Sequence, residues 1–182
     1  TRINGVASVP YKEKLYGKFM VVPFGKVLAG VAVPNTVTKT LHTEKYFSRD
    51  VSDFTVEESS FYSTLENQVR TIKSFNRPVI LVDDLLHKGY RMSAIDPILK
   101  ANQVEVVDTV AGVQTGRGRD LMTIKERPVD SAYFLPNLKC WIDESAIYPY
   151  IGGDGLKDRD VSVESQGAIP ALNMILPYTV PT

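Results

Sequence analysis

The sequence is poor in the residues that build covalent or metal-held frameworks. Of 182 residues, one is a cysteine, Cys140, and two are histidines, His42 and His87. A lone cysteine excludes an internal disulfide framework and any cysteine-based zinc finger. Two histidines exclude a His-rich metal centre. Net charge is also lacking: 21 Lys and Arg face 21 Asp and Glu. That balance argues against a DNA-wrapping protein and against a polybasic membrane binder. No apolar run approaches the roughly 18–20 residues of a membrane span, and no signal peptide opens the chain. A cytoplasmic location is the expectation. The chain begins at Thr1 rather than Met, as expected of a processed chain or of part of a longer protein.

What is present is an ordinary globular composition, 43% hydrophobic and 23% charged, at a length that suits one domain with a real core. Residues 1–16 are mixed and polar and read as an arm or linker. Residues 17–150 read as the main domain, and the Gly- and Pro-rich stretch 151–182 as a surface tail. Phe19-Met20-Val21-Val22 predicts a short buried strand, and a second strand is expected over 29–33, ending at Pro34-Asn35-Thr36. Residues 36–47 are Thr-rich, which favours strand. Val37 and Leu41 at i,i+4 behind a cap residue tip the expectation to helix. A long helix is expected over 56–75. Thr55-x-x-Glu58 has the form of a capping box, and Phe61, Leu65, Val69, Ile72 and Phe75 make one apolar stripe up to Asn76-Arg77-Pro78.

Val79-Ile80-Leu81-Val82 is a continuous apolar run, the pattern of a strand buried on both faces of a parallel sheet. A helix over 91–100 and a strand over 104–113 complete a unit of βαβ size. Pro97 would lie inside that helix and could not bond the Ser93 carbonyl, unless Asp96 caps a separate helix there. Residues 131–135 and 138–142 alternate around Pro136-Asn137 and predict a hairpin. The fold class expected is α/β: a doubly wound, mostly parallel sheet with helices on both faces and a small hood from the hairpin and tail.

The segment with chemistry is 79–91, VILVDDLLHKGYR. Ligands on open parallel sheets bind just outside the carboxyl ends of strands. Asp83 and Asp84 stand at such an end on this reading, where they could accept hydrogen bonds from vicinal hydroxyls or face a divalent cation. Gly89 lets the backbone approach a ligand, and amide groups at a helix start, with Lys88 and Arg91, suit a phosphate. A solvated loop after a core strand is the bland alternative for the acid pair.

This segment resembles the ribose-phosphate signature of type I phosphoribosyltransferases: four apolar residues, two acids, two apolar residues and a short Gly-containing loop. The resemblance implies that Asp83 and Asp84 hold the ribose hydroxyls of phosphoribosyl pyrophosphate. It implies that His87, Lys88, Gly89, Tyr90 and Arg91 hold its 5-phosphate, that Mg²⁺ bridges the pyrophosphate, and that the protein is a homodimer. The family usually has Thr where Lys88 and Arg91 stand, and often Asp at the place of His87. A histidine there could act as acid or base near neutral pH. Asn35 and Thr36 fall where the family has its first pyrophosphate loop. The family's strand hairpin with its flexible loop should precede the signature strand. Here the expected helix 56–75 fills that interval, so the lid is expected to be missing or displaced into 47–55. Residues 128–137 and the text Tyr148-Pro149-Tyr150-Ile151-Gly152 resemble the base-binding end of hypoxanthine-guanine phosphoribosyltransferases. Asp130 replaces the stacking aromatic, and Gln114 falls near the lysine that reads the purine. A carboxylate in this acceptor pocket would suit an amine or a cation.

Elsewhere, Gly116-Arg117-Gly118-Arg119 reads equally as an anion nest, with Arg117 and Arg119 on pyrophosphate oxygens, and as a basic turn. His42, with Lys39 and Lys45, reads as a solvated basic helix face. Cys140 and Trp141 read as core, and Asp143-Glu144 as a turn or helix start. The text VILVDD also opens receiver domains, but the later strand 131–135 has no acceptor Asp. Three functions follow: a phosphoribosyltransferase, a non-catalytic sensor of phosphoribosyl pyrophosphate or a nucleotide, and, least favoured, a nucleic-acid module using the Lys39–Lys45 and Arg117–Arg119 patches.

Overall fold

The computed structural model describes residues 18–24, 37–48, 52–59 and 62–139, and the backbone of 155–156. The expected strand 29–33, the arm 1–16, most of the tail, and Asn35, Thr36, Phe61, Cys140, Trp141, Asp143 and Glu144 lie outside the described residues.

The central sheet has five strands: β1 (Met20–Pro23), β2 (Val37–Thr38), β5 (Val79–Leu86), β6 (Val106–Thr115) and β7 (Val129–Leu135), in the order β2-β1-β5-β6-β7. Every pairing in it is parallel. The apolar run of β5 sits at the middle of this sheet, between β1 and β6. Val79, Leu81, Met20 and Val22 belong to one core cluster, while Ile80, Val21 and Val110, of opposite parity or on the next strand, are buried too. Both faces of the sheet centre are therefore covered, which is why β5 needs no polar alternation.

Three helices follow the strands: α1 (Leu65–Ser74), α2 (Tyr90–Ala101) and α3 (Gly116–Ile124). Val69 and Ile72 of α1, Met92, Ile95 and Leu99 of α2, and Met122 of α3 all join the one cluster. The unit β5–α2–β6 is the expected βαβ crossover. Helix α2 runs through Pro97 as one piece. Pro97 is exposed, so the Ser93 carbonyl that loses its partner lies on the side where water can serve it. Among the described residues no helix is long and apolar enough to cross a membrane.

Two expectations are corrected. Residues 36–47 do not form a helix. They hold β2, a bridge from Leu41 to Phe24, and β3 (Thr43–Phe47). Thr and aromatic strand propensity outweighed the single i,i+4 pair. Helix 56–75 loses its first half: Phe54–Glu58 is strand β4, antiparallel to β3. Thr55 and Glu58 thus belong to a strand, and the helix is capped by Thr64, whose hydroxyl accepts the Asn67 amide at 3.4 Å. Glu58 still serves that helix from outside, its carboxylate accepting the Leu65 amide at 3.3 Å. The first strand of the expected hairpin, 131–135, lies within β7, which adds in parallel to β6, and 140–142 of its second strand lie outside the described residues. The small second sheet is made by β3 and β4, with β8 (Gly155–Leu156) parallel to β3.

One buried charge ties the helical layer together. Asp96 on α2 receives Arg127 at 2.6 Å and Lys125 at 3.5 Å, both from the turn after α3. Asp96→Ala leaves two cations without their acid and should cost about 3 kcal/mol or more, read as a lower urea midpoint. An unchanged midpoint would refute this role.

Candidate functional site

Because β5 and β6 are parallel and in register, with Leu86 opposite Gln114, their following turns are neighbours. The first turn, His87–Gly89, opens α2; the second, at Thr115–Gly116, opens α3. Gly89 has φ +69° and caps α2 without any side-chain hydrogen bond. That left-handed conformation is cheap for glycine alone. Gly118, in the first turn of α3, sits so close to the β5 end that an added Cβ would lie 2.3 Å from the Leu86 carbonyl oxygen and 2.9 Å from that of His87. The two turns are in direct contact.

The acid pair lies within β5 rather than at its end, since the strand continues to Leu86. Alternation sends its two side chains to opposite faces: Asp83 follows the parity of Val79 and Leu81, and Asp84 that of Ile80 and Val82. Asp83 is buried and engages Arg91, the second residue of α2, at 2.7 Å. Burial pushes the Asp83 carboxyl up to about 7, against the pull of Arg91 and with a further push from Asp84. Arg91 also lies over the Phe24 ring, 5.8 Å from its centroid. Asp84 is half-buried and accepts the Leu85 amide at 2.8 Å.

His87 is held by Thr115. Its Nδ1 is 3.3 Å from the Thr115 hydroxyl, and that hydroxyl donates to the His87 carbonyl at 2.7 Å. The Nε2 atom is buried with no hydrogen-bond partner among the described residues. Burial, then Lys88, Arg117 and Lys45 in turn, lower the His87 pKa, so the ring is neutral at pH 7. Lys88 is half-buried beside it, and Arg117 is exposed on the first turn of α3. Tyr90 is half-exposed and meets Phe54 of β4 edge-on at 5.0 Å. The β3–β4 hairpin therefore leans on the start of α2, and a strand pair occupies the interval where the first half of a helix was expected.

Other expected residues go elsewhere. Arg119 is on the same helix turn as Arg117 but lies over Phe134 at 4.6 Å and 3.8 Å from Asp120. Gln114 is buried and accepts from the Ser131 hydroxyl at 3.4 Å. Asp130 is exposed and paired in register with Val110, four residues upstream of Gln114, or about 13 Å along the strand. The two do not form one pocket. His42 does not lie on a helix. It stacks on Tyr62 at 3.5 Å, and its backbone is clamped by the Gln68 amide at 2.8 and 3.3 Å. Thr115 is the residue that sequence reasoning missed. A Thr before a helix is a cap signal, but the run Gly-Arg-Gly-Arg was read as a turn, so no helix was there for it to cap.

The described residues do not form a resident Mg²⁺ site. Among the described residues no three His, Cys, Asp or Glu side chains converge, and Asp83 is already engaged by Arg91.

No protein-family model matches this sequence, and no curated protein matches it either. Among solved structures, an adenine phosphoribosyltransferase from Thermoanaerobacter pseudethanolicus is similar over 74% of this chain and 78% of that chain, with 12% identity and a TM-score of 0.43. A purine phosphoribosyltransferase from Pyrococcus horikoshii is similar over 78% and 84%, with 11% identity and a TM-score of 0.43. Likeness of this degree adds nothing to what the residues themselves say.

Two outcomes are expected. Asp83 has a folded pKa above its unfolded value of about 3.9, so the folded state holds the extra proton between about pH 4 and 7. The Asp83 contribution is full below that window and is lost as pH rises through it. Asp83→Asn should remove this part of the slope in a plot of melting temperature against pH; an identical slope would refute it. Gly118→Ala must push α3 away from the β5 end, and should move the His87 ring resonances. Unmoved resonances would contradict the close approach.

Proposed function

We propose that the protein binds phosphoribosyl pyrophosphate at the β5–α2 turn and transfers its phosphoribosyl group to an acceptor. The observation that carries this reading is the start of α2. A left-handed glycine opens the helix with no side-chain cap, so the first-turn amides are left for an anion. Lys88 stands at the same turn and Asp84 on the strand that leads into it. The 5-phosphate would take the amides and Lys88, and Asp84 would accept from a ribose hydroxyl. The β3–β4 hairpin, resting on Tyr90, suits a cover that excludes water while charge develops at the anomeric carbon.

The bond from that carbon to pyrophosphate breaks as the bond to the acceptor forms. Pyrophosphate leaves with the electron pair, and the acceptor's proton goes to Nε2 of His87. A neutral ring with a buried lone pair is suited to that task, and general-base help of this kind is worth about 10²–10⁴-fold. The Mg²⁺ that the resemblance implies would come with the pyrophosphate, since the described side chains make no cage for it.

One observation favours a second reading, in which the protein senses the ligand without turnover. Arg91 occupies Asp83, so half of the acid pair is spent on an internal ion pair.

Calorimetry of the full chain with phosphoribosyl pyrophosphate and Mg²⁺ should show binding that Asp84→Asn weakens at least tenfold. No binding by the wild type, or equal binding by the variant, would refute the site. A pyrophosphate-release screen over bases, amines and small acids then separates the two readings. Release that falls about 10²-fold or more in His87→Gln, with binding retained, supports transfer; binding with no release in the presence of any acceptor supports the sensor.

A further inference from the structure

The hydrogen bonds around Thr115 can be counted to completion. Its side chain has one proton to give and two lone pairs to receive with. The proton goes to the His87 carbonyl at 2.7 Å, because a carbonyl oxygen can only accept. One lone pair takes the Gly118 amide at 3.2 Å, because an amide can only donate. What remains for the His87 ring, 3.3 Å away, is the second lone pair. A hydrogen bond there requires the proton on Nδ1. Thr115 is 1% exposed, so water does not compete for its hydroxyl.

We infer that Thr115 is a positioning residue that fixes His87 as its Nδ1–H tautomer and so leaves the bare lone pair on Nε2 as a proton acceptor. This goes one step beyond the proposed function, and its catalytic meaning rests on that reading. The tautomer itself does not. One hydroxyl does three jobs here. It caps α3 through Gly118, it holds the His87 backbone, and it sets the protonation of the ring. The bare Nε2 is buried with no partner among the described residues, as expected of an acceptor set for a ligand proton. Cations from three elements face the ring, Lys88 on its own turn, Arg117 on α3 and Lys45 on β3, and all oppose a second proton on it. The arrangement presents a neutral base, not an imidazolium.

The test reads the ring nitrogens directly. Two-bond ¹⁵N–¹H spectra of uniformly labelled full-length protein at pH 8 distinguish the tautomers, and His42→Gln assigns the remaining signal to His87. The wild type and Thr115→Ser should both show Nδ1–H. In Thr115→Val the tautomer should move toward Nε2–H, with the backbone amide spectrum otherwise kept. An Nε2–H signal in the wild type overturns the inference, as does an unchanged tautomer in a folded Thr115→Val. Should the valine variant fail to fold for want of its helix cap, the wild-type tautomer and its retention in Thr115→Ser decide alone. A wild type that shows Nδ1–H yet binds no phosphoribosyl pyrophosphate leaves the tautomer standing and removes only the proposed function.

Discussion

The register of β5 against β6 brings two strand-to-helix turns to one edge of the sheet, and the site depends on that meeting. Parallel strands that end level with each other must send their helices off side by side. Contact between the turns is then limited only by side-chain bulk. Glycine at 118 removes the bulk, and Thr115 fills the junction with a hydroxyl that all its neighbours use. His87 is oriented from the neighbouring strand, not from its own loop. A rigid sheet edge thus holds the one side chain whose protonation matters for the proposed chemistry.

The centre of this architecture was legible in the sequence because burial on both faces leaves a mark that little else makes. Val79–Val82 could only be a central strand, and the helix and strand after it followed in size and order. The hairpin β3–β4 was not legible. Its residues are mostly half-buried, so neither strict alternation nor a continuous apolar run announces it. Thr55 and Glu58 imitate a capping box while serving a strand. β7 was legible as a strand, but its last residues are exposed, so nothing in them announces the parallel pairing with β6. Of the candidate site, the segment 83–91 could be read from residue types. The Thr115 contact could not, because it depends on register between strands far apart in sequence.

Asp83 and Arg91 show where local stability and ligand binding pull against each other. A buried carboxylate needs a partner, and Arg91 supplies one at 2.7 Å. A threonine in that place, usual in the resembled family, could not neutralise the acid. The price of the pair is a carboxylate less available to a ligand. Asp84 faces the other way and is half-buried, with no such ion pair among those described.

The small sheet has its own consequence for how the chain assembles. β3 and β4 are joined by a short connection and can zip together locally, but β3's other edge is paired only when Phe47 meets Leu156. That contact closes a loop containing β5, β6 and β7, so it waits on a long stretch of intervening chain. During synthesis the hairpin leaves the ribosome long before its third strand exists. The nascent hairpin must therefore carry an open strand edge, a surface that could pair with other chains, until Gly155 and Leu156 arrive to cover it.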